Sequence, residues 1–205
     1  MKNYLYLISP LQIDNNFYKK LDNVLSSKKV AFFQLRLKNE KKKNILHLAK
    51  KIKKITKKHK VKFIINDSVN LALKTKADGC HLGQNDDSVI LAKKKLKKKI
   101  IGMTCHNSKN LCRIAKKNKV DYIALGSFFK SKLKPYAIKA DIKILKWAKK
   151  NINKPIVAIG GINDKNYKKL LNAGANYIAL SSFIWNNRSL KPKEALKNFK
   201  NENNS

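Results

Sequence analysis

The sequence predicts a single closed (β/α)8 barrel, an α/β fold, on three observations. Short apolar runs with strand character alternate with helix-patterned segments along the whole 205-residue chain, the pattern of a parallel sheet with right-handed crossovers. Eight such units are present, the number at which a parallel sheet closes on itself. The first apolar run is followed by Ser9-Pro10-Leu11-Gln12, nothing like the glycine-rich phosphate loop that an open doubly wound sheet places there. The length lies near the lower limit of roughly 200 residues for this architecture, so the TIM barrel is compact, with few insertions. It forms one domain over residues 1–200, and the polar tail at 201–205 is expected to be disordered.

The units follow in order. A strand over 4–8 precedes a helix over 17–26. A strand over 31–37 leads into a long helix over 42–58, in which Ile45, Leu48, Ile52 and Ile55 recur at helical spacing. The third unit is a strand over 62–65 with a short helix over 68–74, and the fourth a strand over 79–82 with a helix over 88–98. Next come a strand over 100–103 with a helix over 108–118, and a strand over 122–125 with a long loop and a helix over 140–150. The last two units are strands over 155–159 and 177–180, with helices over 164–172 and 193–199.

Composition limits the function classes. An apolar fraction of 43% is that of a folded protein. No apolar run approaches the ~18 residues of a membrane span, and the N-terminus lacks a signal-peptide core and cleavage site. Cys80, Cys105 and Cys112 have no CxxC spacing, which argues against a disulfide framework or a zinc site and fits a reducing cytoplasm. The formal charge of +36 invites a nucleic-acid reading. Against it, the lysines spread over nearly every helix, and only Arg36, Arg113 and Arg188 are arginine, the residue best suited to phosphates and base edges. The charge reads instead as solvated helix faces in a lysine-biased proteome. The sequence leaves the oligomeric state open and is compatible with a homo-oligomer.

In a barrel the chemistry sits where strands end and βα loops begin, and the unusual polar residues fall there. In strand two, Gln34, Arg36 and Lys38 share the face opposite Phe33, Leu35 and Leu37; Arg36 suits a phosphate and Lys38 adds a second cation. Strand three ends at Asn66-Asp67 and strand four at Asp86-Asp87. Helix capping accounts for some of these carboxylates; Asp87, just before Ser88, suits a cap, which leaves Asp86 available. Asp67 and Asp86, from neighbouring loops, form a candidate Mg2+ pair. Strand five exits into Thr104 and His106, which share a face if the chain stays extended, while Cys105 packs and His81, inside strand four, is structural. The loop 126–135 carries Ser131, Lys130, Lys132 and Lys134 and has the length of a lid. Strands seven and eight exit at Gly160-Gly161 and Ser181-Ser182, where barrels commonly hold phosphate on backbone N–H groups.

These blocks resemble thiamine-phosphate synthase: QLRLK at 34–38, Asn66-Asp67, HLGQND at 81–86, 102–106, DYIALG at 121–126, AIGGI at 158–162 and GANYIALSSFI at 174–184. The likeness runs from the second strand to the eighth. It implies a transferase of thiamine biosynthesis that joins a hydroxymethylpyrimidine diphosphate to a thiazole phosphate, releasing pyrophosphate by a dissociative, Mg2+-assisted route. It further implies that Asp67 and Asp86 bind the metal and that Gln34, Arg36, Lys38, Asn66 and Lys134 bind the pyrimidine diphosphate or the departing pyrophosphate. Thr104 would then stand near the reacting centre, and Gly161 and Ser182, with Gly160 and Ser181, would hold the thiazole phosphate. In the strand-six loop the family reads Gly-Pro-x-x-Pro-Thr-x-Thr-Lys. Here Gly126 and Lys134 are kept, Ser131 replaces one hydroxyl, and Leu133 cannot replace the other. One alternative is a thiazole tautomerase of the same superfamily with His106 as its acid–base group. Another is a non-catalytic binder of phosphate ligands or nucleic acid.

Overall fold

In the computed structural model, which describes residues 4–130 and 139–200, eight parallel strands close into a barrel in sequence order. The strands are β1 (Leu5–Ile8), β2 (Val30–Leu35), β3 (Lys62–Asn66), β4 (Gly79–Leu82), β5 (Ile100–His106), β6 (Tyr122–Leu125), β7 (Ile156–Ala158) and β8 (Tyr177–Leu180). The outer layer is α1 (Phe17–Leu25), α2 (Lys42–Lys58), α3 (Val69–Lys74), α4 (Val89–Leu96), α5 (Lys109–Lys117), α6 (Lys143–Asn151), α7 (Tyr167–Asn172), α8 (Ser182–Trp185) and α9 (Pro192–Lys197). The barrel is closed by β1 pairing with both β2 and β8. The expected tail at 201–205 lies outside the described residues.

Strand alternation sorts the apolar side chains into two cores. Leu5, Leu7, Phe33, Leu35, Phe63, Ile65, Ile123 and Leu125 face outward and pack under the helices. Tyr6, Ile8, Tyr122, Ala124, Val157 and Ala179 fill the barrel itself, with Phe32, Ile100, Ile159 and Tyr177 against them. The helices are amphipathic for the same reason: α2 buries Ala49, Ile52 and Thr56 and turns its lysines outward.

Two polar devices repeat around the barrel. At the entry to α3, α4 and α5, Ser68, Ser88 and Ser108 accept the N–H of Leu71, Leu91 and Leu111 at 3.3, 3.1 and 3.2 Å, ordinary N-caps. At the opposite end, the residue before each of β4, β6 and β8 clasps the strand before it. Asp78, Asp121 and Asn176 accept the N–H groups of Phe63, Ile101 and Ile156 at 2.8, 2.8 and 2.9 Å. Each donates its own N–H to the carbonyl of that same residue at 2.8 Å.

The structure differs from the sequence reading in a few elements. β5 extends to His106, α6 begins at Lys143 rather than near 140, and α8 was not expected. At four residues α8 is too short to show a helical period.

Candidate active site at the carboxyl end of the barrel

The exits of β3 and β4 carry the carboxylates. Asp67 has a left-handed backbone, φ 66°, uncommon for a residue with a Cβ. Its N–H donates to the His81 carbonyl at 2.8 Å, which ties the two exits together. Because Ser68 and Ser88 cap α3 and α4, neither Asp67 nor Asp86 is needed as a cap. Asp87 does not cap the helix that follows it, as the sequence suggested; its Oδ2 accepts the Val69 N–H of α3 at 2.8 Å. The reason is that Ser88 already occupies the cap position of α4.

Asp86 is held by a tight turn, its Oδ2 accepting the Gly83 N–H at 2.6 Å. A Cβ on Gly83 would sit 2.7 Å from that oxygen, so a side chain there would displace the Asp86 carboxylate. Burial first, and then the neighbouring Asp86 carboxyl, push Asp67 up to about 6. Lys38 Nζ, 3.7 Å from Asp67 Oδ2, pulls the other way, as does the Arg36 charge. Two neighbouring carboxyl groups, one of them pushed up by burial and by the other, supply oxygen donors of the kind a divalent cation takes. Among the described residues no cluster of three or more His, Cys, Asp and Glu side chains is present, so such a cation would take its remaining ligands from water and substrate oxygens.

On β2, Gln34 is 2% exposed. The β2 exit is fixed by Ser9, whose Oγ accepts the Arg36 N–H at 3.0 Å and donates to the Arg36 carbonyl at 3.2 Å. This brings Gln34, Arg36 and Lys38 to the mouth, as the alternation predicted. Asn66 pairs in register with His81 across β3 and β4.

Thr104 sits inside β5, its Oγ1 2.8 Å from His81 Nε2. The ring of His81 hydrogen-bonds the Tyr122 hydroxyl through Nδ1 at 2.9 Å, and burial holds it down at about 4. His81 therefore does more than fill space: it joins Thr104 to the barrel interior. Tyr6 and Tyr122 were not singled out because LYLI and YIAL read as plain apolar strands; the available signal was their inward position. The assumption that Thr104 and His106 share a face fails, because the β5–β6 register shifts between them and His106 has φ 51°.

The glycines after β7 serve the fold as well as any ligand. Gly160 and Gly161 have φ 106° and 61°, and Cβ atoms there would meet Ser127 Oγ at 2.0 Å and the Lys130 carbonyl at 2.4 Å. The loop after β6 crosses directly over them, Phe128 and Phe129 donating to the Ile159 and Gly160 carbonyls at 3.1 and 3.0 Å. After β8, the Ser181 hydroxyl donates to the Ser9 carbonyl at 3.0 Å, whereas Ser182 opens α8. Ser131 and Lys134 lie outside the described residues.

Comparison with known proteins places the chain in a family. The family model described as thiamine monophosphate synthase matches residues 5–184. A thiamine-phosphate synthase of Pelagibacter ubique is 56% identical over 200 residues, 97% of each chain. One from Erythrobacter litoralis is 39% identical over 186 residues, 88% of this chain and 87% of the other. Among solved structures, thiamine phosphate pyrophosphorylase from Pyrococcus furiosus superposes with a TM-score of 0.82 at 26% identity, covering 96% of this chain and 95% of that one.

Proposed function

The chain belongs to the thiamine monophosphate synthase family, and is a transferase that forms thiamine phosphate; from that premise we propose how its residues divide the work. Gln34 receives the pyrimidine: a primary amide donates and accepts side by side, matching a ring nitrogen next to an amino group. Its place near the carboxyl end of β2, inward-facing and 2% exposed beside the Arg36 and Lys38 exit, is the observation that supports this assignment. Arg36, Lys38, Asn66 and Lys134, with Ser131, receive the diphosphate, and Thr104 stands at the reacting centre. Gly160, Gly161 and Ser182 hold the thiazole phosphate, with Ser181 bracing that loop through Ser9.

The reaction then needs no nucleophile–base pair. The bond between the pyrimidine methylene carbon and the diphosphate oxygen breaks with its electron pair going to that oxygen. The thiazole nitrogen adds to the resulting cation. Arg36 and Lys38 stabilise the charge that grows on the departing group. Asp67 and Asp86 would hold Mg2+, which when bound supplies further positive charge to the diphosphate.

The test is to incubate the protein with both phosphorylated precursors, with and without Mg2+, and to measure thiamine phosphate and pyrophosphate. Equimolar formation of both, dependent on Mg2+, is expected. No product in the presence of the metal would refute the reading.

A further inference from the structure

We propose that a hydrogen-bond chain through the barrel, Tyr6–Tyr122–His81–Thr104, fixes the Thr104 hydroxyl as a donor aimed into the mouth. Tyr122 and His81 are then positioning residues for the transfer reaction; this rests on the function proposed above. The links are Tyr6 to Tyr122 hydroxyl at 2.8 Å, Tyr122 hydroxyl to His81 Nδ1 at 2.9 Å, and His81 Nε2 to Thr104 Oγ1 at 2.8 Å. They join β1, β6, β4 and β5.

The polarity follows from counting protons. Three links need three protons, and the two tyrosines, a neutral imidazole and the threonine supply four. One proton is therefore left, at Tyr6, Tyr122 or Thr104, and Tyr122 at 3% exposed is no better placed than Tyr6 to leave a donor unmade. If it is left at Tyr6, a donor goes unmade in a floor of Phe32, Ile8, Val157 and Ala179, at a residue 2% exposed with no other partner among the described residues. Leaving it at Thr104 places it where water or substrate can accept it. A buried unmade donor is by far the costlier arrangement. So Tyr6 donates to Tyr122, Tyr122 to Nδ1, and Nε2–H to Thr104, whose own proton points to the ligand.

The barrel is shaped to hold this chain. Gly102 on β5 leaves the space that the Tyr122 ring fills: a Cβ there would lie 2.0 Å from its Cζ and 2.4 Å from its hydroxyl oxygen. Tyr122 also stacks on His81, centroids 5.5 Å apart at 14°, so ring and hydroxyl together orient the imidazole. A donor held this way serves an acceptor of the pyrimidine diphosphate, and the breaking carbon–oxygen bond makes its oxygen a stronger acceptor as it departs. The interaction therefore strengthens in the transition state and shows in kcat more than in KM.

The test pairs spectroscopy with kinetics. In resting protein labelled with 15N-histidine, assigned against His81→Asn, His81 should carry its proton on Nε2. In Tyr6→Phe/Tyr122→Phe nothing donates to Nδ1, so the proton should stay on Nε2 while the Nδ1 resonance moves to that of an unbonded imidazole nitrogen. That variant should lose about tenfold in kcat with KM within about twofold. Thr104→Val should lose at least as much, and adding it to the tyrosine pair should cost nothing further. An Nδ1–H His81 in the unmodified protein, or kcat losses that multiply, would overturn the proposal. The tautomer needs no turnover: inactive protein with an Nε2–H His81 would count against the function while upholding the chain.

Discussion

Gln34 and Asp67 carry predictions at the scale of single residues. Gln34 is 2% exposed on the inward face of β2, and no buried side-chain polar atom among the described residues lacks a partner, so its amide carries no uncompensated burial. Gln34→Met keeps the length and removes the polar atoms. We expect a melting temperature within about 2 °C of the unmodified protein, together with a pyrimidine-substrate KM raised at least about tenfold. An unchanged KM would remove Gln34 from the pyrimidine site. Asp67 is held at about 6 by burial and by Asp86, well above an unfolded aspartate. Without metal, its contribution to stability is complete below the unfolded value and is lost as pH rises through about 6. Mg2+ competes with the same proton, so Mg2+ should raise the melting temperature strongly above pH 6 and progressively less below it. In Asp86→Asn that Mg2+-induced rise should vanish at every pH, with the circular dichroism spectrum unchanged. At this scale the sequence was readable where strand alternation sets the direction of a side chain, as for Gln34 between outward Phe33 and Leu35. It was unreadable where a polar tip hides in an apolar run, as with Tyr6 and Tyr122, and where the backbone leaves the extended form, as at His106.

At the scale of elements, the eight units were legible because each strand is a short apolar run between a polar turn and an amphipathic helix. What was not legible is how neighbouring units are fastened. Asp78, Asp121 and Asn176 stand at equivalent positions before β4, β6 and β8, and each grips both backbone groups of one residue in the preceding strand. Asn176 shows that a neutral carbonyl oxygen does this as well as a carboxylate. Hence Asp78→Asn should change stability by less than about 0.5 kcal/mol, whereas Asp78→Ala leaves the Phe63 N–H without its acceptor and should cost about 1–3 kcal/mol. Urea denaturation of the two variants separates these cases; equal losses would mean that the carboxylate charge, not the hydrogen bond, is what matters. The same comparison explains why acidic residues in so basic a chain are not all functional. Those at the amino ends of strands brace the barrel, and those at the carboxyl ends face the mouth.

For the whole molecule the dominant quantity is the charge of +36, from 48 basic and 12 acidic residues. Few of the cations are neutralised locally: the ion pairs among the described residues are Lys20–Asp14, Lys38–Asp67, Lys58–Asp22, His59–Asp22 and Lys93–Asp121. The remaining lysines line open surface between helices, as where Lys50, Lys53, Lys54, Lys57, Lys74 and Lys76 surround one groove at α2 and α3. Folding brings like charges closer than they are in the expanded chain, so their repulsion opposes the compact state. Salt shortens its range from about 10 Å at 0.1 M to about 3 Å at 1 M. The melting temperature should therefore rise by several degrees between low salt and about 0.5 M NaCl, a range in which proteins of balanced charge change little. The screened groups lie on the outer helix layer, so in the same range the dissociation constant of a neutral analogue lacking phosphates should stay constant while binding of a random DNA duplex falls steeply. DNA binding that survives 0.5 M NaCl would show that the lysines form a specific surface, and a melting temperature that falls with salt would show that the few ion pairs outweigh the repulsion.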